Sequence, residues 1–401
     1  MKESISIKNL GPLKDIYIDD IKPFTVFIGE SGSGKSTLMK VVALFRWIYK
    51  MHNIESYLKH SQPGTRHYEY EIDDYFNSSG IDQFVKSNTE IEYKSFMPSG
   101  ETYRIKYANQ SLTGISQQEL IRVEDISFNK ISFISETRNI IPLWATKGAS
   151  LPNNDLGFYF NEVYRDFNLA TENTKELTMD FLALKFSVKK TKEGKEYFVQ
   201  SNSGPGDTDN TNDSYQIDFK NSSSGTQTSI PVSLLAQYFS QSFDFTEAFN
   251  RSVLQSHLKA GSLIDFKPIK NLDALLRTVY IHIEEPELSL YPDAQCELIN
   301  DVVKKCFLQN EHKVGLILST HSPYIINHLN LLIKAFDTGH KINGANFNYD
   351  DLAVFQISDG SLLDLKVQNH RLIFTDPLSE TINAIYDQYN SLEKNGNIIK
   401  T

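Results

Sequence analysis

The run Gly29-Glu30-Ser31-Gly32-Ser33-Gly34-Lys35-Ser36 spaces its residues as GxxxxGK[ST]. Glycines in that pattern let a loop turn successive backbone N–H groups inward around phosphate oxygens. A lysine there reaches β- and γ-phosphates, the next hydroxyl can ligand Mg²⁺, and a helix start adds a favourable dipole. Farther on, the apolar stretch Val279, Ile281, Ile283 ends in two adjacent acids, Glu284 and Glu285. The first acid can hold the Mg²⁺ water shell, and the second can orient and deprotonate an attacking water. His321 follows a third apolar stretch, in Leu316–Pro323, within a small polar loop. Ser223-Ser224-Gly225-Thr226-Gln227 opens a helical segment and offers hydroxyl and N–H donors to an anion. Each element alone has a plain alternative: a Gly-rich turn, solvated acids before Pro286, a structural histidine, an ordinary N-cap. Their order along the chain is what points to nucleotide chemistry.

That chemistry needs strands and helices to hold it. Phe24–Ile28 is continuously apolar, as a strand buried on both faces must be, and it feeds directly into the glycine loop. From Thr37 the spacing turns helical, with Leu38, Val41, Val42, Phe45 and Ile48 on one face. Thr278–Ile283 and Val314–Leu318 read as two more buried strands. Three strand ends then lie on one edge of a parallel sheet, where ligands bind in open α/β folds. Alternation at Ile5, Ile7, Ile16 and Ile18 predicts N-terminal antiparallel strands around a turn at Asn9–Pro12. Between 50 and 220 the pattern predicts a hairpin (Glu90–Tyr93 and Tyr103–Tyr107) and a strand at Ile131–Ile134. It also predicts a helix over Leu156–Phe186, then strands at Glu196–Gln200 and Tyr215–Lys220 flanking the polar loop Ser201–Ser214. Helices follow at Ile230–Phe239 and Asp293–Phe307. The tail reads as strands Leu352–Ile357 and Leu362–Val367 and a helix, Ser379–Leu392.

The chain has 401 residues, with 40 Lys+Arg against 50 Asp+Glu, a net charge of −10, and 2 cysteines. That length predicts two or three folding units, or one large unit with insertions. The acidic balance argues against a generally basic coat for nucleic acid. The lysine-rich run Lys185–Lys195 reads either as a solvated hairpin or as a local DNA-binding strip. Two cysteines cannot build a disulfide framework, so the expected location is cytoplasmic. Cys296 and Cys306 read as packing thiols, and His282, inside a buried strand, as a core histidine. No apolar run approaches the roughly 18–20 residues of a membrane span.

Taken together, the four motifs resemble the ATP-binding-cassette (ABC) ATPase superfamily, and most closely its soluble branch. That branch contains RecF, SMC-type heads and the overcoming-lysogenization-defect (OLD) nucleases. Gly29–Ser36 resembles Walker A, Ser223–Gln227 the signature motif, and Val279–Glu284 Walker B. Glu285 resembles the catalytic glutamate, PELSLYP (Pro286–Pro292) the D-loop, and His321 the switch histidine. Ile134–Arg138, ISETR, resembles an I-P-A-E-R segment of the branch and draws attention to Arg138. Ser31 stands where asparagine is common, Tyr291 replaces the usual D-loop histidine, and no Q-loop glutamine can be placed.

The resemblance implies an α/β P-loop NTPase with a mixed, largely parallel core sheet, N-terminal antiparallel strands and an inserted helical lobe. Residues 1–401 would form one ABC head. Its nucleotide core would be 1–50 and 220–345, with the inserted lobe and antiparallel strands at 51–219 and strands and a helix at 346–401. The gaps of about 190 and about 55 residues between the motifs fit the soluble branch and not a transporter cassette. About 80 residues follow His321, too few for the OLD Toprim nuclease domain, so any nuclease is expected on another chain.

ATP and Mg²⁺ are the implied cofactors. Gly29, Glu30, Ser31, Gly32, Ser33, Gly34, Lys35, Ser36 and Thr37 would hold the nucleotide, joined by Ser224, Gly225 and Gln227. Ser36 and Glu284 would face Mg²⁺, and Lys35, Glu285 and His321 would do the catalysis. A head-to-tail homodimer or higher homo-oligomer with ATP between subunits is implied. So is a separate effector protein, as in anti-phage systems of the Septu and PARIS kinds. A RecF-like DNA-binding ATPase is the alternative, and a nucleotide-bound scaffold without turnover is a third reading.

Overall fold

The computed structural model describes residues 2–61, 72–114, 120–146, 158–192, 194–201, 215–260 and 275–396. The chain opens with β1 (Lys2–Leu10), β2 (Leu13–Ile18), β3 (Phe24–Gly29) and the long helix α1 (Lys35–Ser61). Next come α2 (Ile72–Ser79), β4 (Glu90–Phe96), β5 (Thr102–Ala108), β6 (Ser111–Gly114) and β7 (Ser127–Ile134). Helices α3 (Ile141–Thr146) and α4 (Phe158–Asn173) precede β8 (Glu176–Met179), β9 (Leu184–Thr191), β10 (Gly194–Ser201) and β11 (Gln216–Asp218). The second half runs α5 (Ser224–Gln237), α6 (Phe245–Ala260), β12 (Leu276–Glu284), α7 (Pro292–Val303), β13 (Val314–Thr320) and α8 (Pro323–Asp337). It closes with β14 (Leu352–Ser358), β15 (Ser361–Asp364), β16 (Lys366–Val367), β17 (Leu372–Ile373) and α9 (Asp376–Gly396).

The central sheet has six strands in the order β15-β14-β3-β13-β12-β7. All neighbours are parallel except the edge strand β15. Strands β3 and β13 have almost no exposed residue, as expected where helices cover both faces. Helix α1 buries Leu38, Val41, Val42, Phe45 and Ile48 completely, the face that its sequence spacing marks out. Two antiparallel sheets flank this core, β2-β1-β4-β5-β6 and β11-β10-β9-β8. In β1 the alternate residues Ile5 and Ile7 are fully buried, and in β2 the alternate residues Ile16 and Ile18 are buried.

A buried polar clamp joins the first antiparallel sheet to the core. Arg46 of α1, 2% exposed, donates Nη2 to Glu3 Oε2 at 2.6 Å and lies 3.9 Å over the Tyr280 ring of β12. Its Nη1 lies 3.1 Å from His282 Nε2, and the Tyr93 hydroxyl donates to Glu3. His282 Nδ1 lies 3.1 Å from the Ser132 carbonyl, so Nδ1 carries the proton and Nε2 accepts from Arg46. A buried ion pair holds only when its remaining donors and acceptors are met in this way.

Three readings of the sequence change. Strand β7 falls inside the 51–219 segment, yet it pairs with β12 in the central sheet, Ile134 beside Ile283. Strands β14 and β15, from the 346–401 tail, complete the other side. Division by residue number therefore does not follow the sheet, because parallel partners are joined by long crossovers and meet from remote parts of the chain. The helix expected over Leu156–Phe186 stops at Asn173. Beyond it Leu184 and Phe186 are buried while Lys185 and Ser187 are half-buried, a period of two that makes β9 a strand. The loop Ser201–Ser214 lies outside the described residues from 202 onward. No described helix is long and apolar enough to cross a membrane.

Candidate nucleotide-binding and catalytic site

The glycine loop links the end of β3 to α1. Gly32 and Gly34 have φ of +79° and +103°, a region closed to most side chains. A Cβ on Gly34 would also meet Leu13 Cδ2 at 2.6 Å and Pro12 Cγ at 2.9 Å, so the β1–β2 turn demands glycine there. Lys35 is 5% exposed, and its Nζ donates to the carbonyls of Gly29 (2.9 Å) and Glu30 (2.8 Å). Burial lowers its pKa, against the pull of Glu285 and Glu287. Ser33 Oγ is buried with no hydrogen-bond partner, whereas Glu30, Ser31, Gly32 and Ser36 are exposed. Thr37, the third residue of α1, lies buried.

Pairing registers bring four strand ends to one edge. Ile28 of β3 lies beside Thr320 of β13, Ser319 beside Glu284 of β12, and Ile283 beside Ile134 of β7. Glu284 is 1% exposed, and neither carboxylate oxygen closes a hydrogen bond. Burial first, and then Glu136 beside it, push its pKa up to about 8, while Lys40 and Ser36 pull the other way. Glu136, just past β7, moves down in turn, chiefly through Glu284. Buried, unpartnered oxygens beside a serine hydroxyl and a second carboxyl are the hard oxygen donors that Mg²⁺ requires, so these residues fit that ion.

Glu285 has φ +45°, rare for a glutamate, and its N–H donates to Ser319 O at 2.8 Å. His321 Nε2 lies 3.5 Å from Glu285 Oε1, and Nδ1 lies 3.4 Å from Lys35 Nζ. An ammonium only donates, so Nδ1 accepts, and the ring proton sits on Nε2 facing the carboxylate. The loop bearing His321 is pinned from below. Its backbone N–H donates to Glu287 Oε1 at 2.6 Å, while Glu287 Oε2 is buried without a partner. Burial raises the Glu287 pKa, and the His321 N–H opposes that rise.

The Ser-Ser-Gly segment starts α5. Ser223 Oγ caps the helix on the Thr226 N–H, and Ser224 is exposed at the first turn. Gly225 is buried, and a Cβ there would meet Ser289 O at 2.8 Å. Gln227 Nε2 donates to the carbonyls of Lys220 and Ser222, which fastens its own turn and gives the amide a structural job. The hydrogen bonds of Ser223–Gln227 run within α5 and the preceding turn and do not reach the phosphate loop. Tyr291 is 76% exposed at the start of α7. The structure therefore gathers Lys35, Ser36, Glu284, Glu285 and His321 at one edge, with the signature residues on a separate helix. Sequence reasoning passed over Glu136 and Glu287. Both sit inside quoted motifs, ISETR and PELSLYP, but only the fold shows what they face.

The AAA ATPase domain family is matched over residues 1–181 and 166–326. Among solved structures, an SMC head, described as bound to the C-winged helix domain of ScpA, is 12% identical. It covers 92% of this chain and 98% of that one, with a TM-score of 0.41. The recombination mediator protein RecF is 9% identical over 91% of this chain and 98% of that chain, with a TM-score of 0.37. No curated protein matches the chain.

Proposed function

Because this chain belongs to the AAA ATPase domain family and hydrolyses ATP, we propose that it acts as a switch made of two copies with ATP between them. The observation that carries this is the convergence of Lys35, Glu284, Glu285 and His321 on one sheet edge, while Ser224 stands exposed on another helix. In this reading the residues gathered on one chain still need the signature contact, which a second copy would supply.

In this reading Lys35 exchanges the Gly29 and Glu30 carbonyls for phosphate oxygens. Ser36 and Glu284 hold Mg²⁺, which neutralises phosphate charge when bound. Glu285 takes the proton of the attacking water, and His321 presents its Nε2–H toward the γ-phosphate side of that carboxylate. Ser224 and Gly225 reach the same phosphate from the partner. Hydrolysis removes a contact shared by both copies and so favours separation. The output then goes to a separate effector protein, and the resemblance to anti-phage ATPases makes such an effector the first partner to seek.

Direct action on DNA is less favoured. Within Lys185–Lys195, Lys185 pairs with Glu176 at 2.6 Å, and Lys195 donates to Asn168 O and Thr171 Oγ1. Of the five lysines there, Lys189, Lys190 and Lys192 stand exposed. Salt-dependent DNA binding abolished by reversing those three charges would restore that reading.

The test is association by size-exclusion chromatography. Glu285→Gln should dimerise with ATP and Mg²⁺ and turn over at least ~100-fold more slowly, the usual contribution of a general base. Lys35→Ala should stay monomeric because it no longer holds nucleotide. A Glu285→Gln chain that remains monomeric at saturating ATP rejects the sandwich, and one that hydrolyses at the normal rate rejects the base.

A further inference from the structure

In the switch proposed above, the acid pair acts on the nucleotide of its own chain, whereas the start of α5 acts on that of the partner. One side chain touches both. Arg138 is fully buried, at 0% exposed, just beyond β7. Its Nε donates to Thr228 O at 3.0 Å, and Thr228 lies one helical turn along α5 from Ser224. Nη1 donates to Glu284 O at 2.7 Å and to Ser135 O at 3.1 Å, and Nη2 donates to Glu285 O at 2.6 Å.

All four acceptors are backbone carbonyls. The guanidinium therefore forms no bidentate pair with a carboxylate and instead ties three pieces of main chain together. A planar fork has fixed donor directions, so those carbonyls cannot slide past one another without breaking hydrogen bonds in a buried site. Glu285, at φ +45°, is held between this contact and Ser319 O. Helix α5 is fastened to the same region again by Thr228 Oγ1, which donates to Leu288 O at 2.8 Å. A shift of the Glu284–Glu285 backbone must consequently carry the first turns of α5 with it.

We propose that Arg138 is a positioning residue that couples the two ATP sites of the pair, linking the acid-pair backbone of one chain to the helix serving the partner's nucleotide. The proposal rests on the head-to-tail reading, and mixed pairs test the two separately. Lys35→Ala chains and Ser224→Arg chains are each inactive alone. Mixed, they form one working site, in which the Ser224→Arg chain supplies the phosphate loop and acids and the Lys35→Ala chain supplies only α5. Arg138→Lys keeps the charge but loses the fork, and it is placed on one chain or the other.

Coupling predicts that Arg138→Lys on the Lys35→Ala chain lowers turnover about tenfold or more, although that chain contributes no catalytic group. A loss only when it sits on the Ser224→Arg chain overturns the coupling, and so does no loss in either place. An inactive mixture without Arg138→Lys overturns the head-to-tail reading itself, a distinguishable result. If Arg138→Lys does not fold, hydrogen exchange of the Ser224→Arg chain carries the test. ATP and Mg²⁺ should alter exchange at amides 226–230 and 232 without pairing, and unaltered exchange there overturns the proposal.

Discussion

Glu287 touches no reacting group, yet its removal should slow turnover strongly while leaving ATP binding and stability nearly intact. Its Oε1 accepts the His321 N–H at 2.6 Å, the bond that fixes where the loop bearing His321 lies. His321 in turn spans Lys35 and Glu285 at 3.4 and 3.5 Å, so there is little slack before both contacts open. A hydrogen bond to a charged group contributes about 1.5–3 kcal/mol, and an exposed N–H recovers part of this from water. His321 is exposed, and Glu287→Ala also removes the buried, unpartnered Oε2. Those two facts offset most of the stability cost. Catalysis has no such offset, since a displacement of about 1 Å at the reacting centre costs up to ~100-fold. Steady-state hydrolysis and nucleotide titration of Glu287→Ala should therefore show kcat down by about 10–100-fold with Kd for ATP nearly unchanged. Glu287→Gln keeps an acceptor at the same atom and should stay close to wild type. Full turnover in Glu287→Ala refutes the argument. So does a Glu287→Gln variant as slow as Glu287→Ala, because the charge and not the positioning bond would then matter.

Two further outcomes follow from the buried clamp. Glu3→Ala leaves Arg46 charged and unpaired at 2% exposure, which should cost about 3–5 kcal/mol in urea unfolding. A loss below about 1 kcal/mol would show that water or a shifted side chain replaces Glu3. His282 is held down to about 3 by burial and by the Arg46 guanidinium, against about 6.5 in an unfolded chain. The unfolded state thus takes the proton first, so this stability is complete above about pH 6.5 and is lost progressively below it. His52, lowered to about 4 by burial, acts in the same direction. Tm should fall from pH 6.5 to pH 5, and His282→Asn should flatten that slope; an unchanged slope removes His282 from the account.

The sequence by itself determined what is local. The glycine loop is contiguous, its glycines answer to backbone angles, and the buried face of α1 follows from a period of 3.6. Strand ends carrying Glu284, Glu285 and His321 were legible for the same reason, and so was the reading of His282 as a core histidine. Where two periods compete over a short stretch, local reasoning failed, and β8 with the first residues of β9 was taken for helix. Only the tertiary structure decided which strand ends become neighbours. Strand β7 reaches β12 from about 150 residues away in the chain, and that pairing sets Glu136 beside Glu284 and Arg138 under Glu284, Glu285 and Thr228. Glu287 beneath His321, and Glu3 against Arg46 and Tyr93, depend on the same kind of contact. A parallel sheet leaves no trace of strand order in any one strand, because every buried strand carries the same apolar code. The parts of the site were therefore written in the chain, and their mutual placement was written only in the packing.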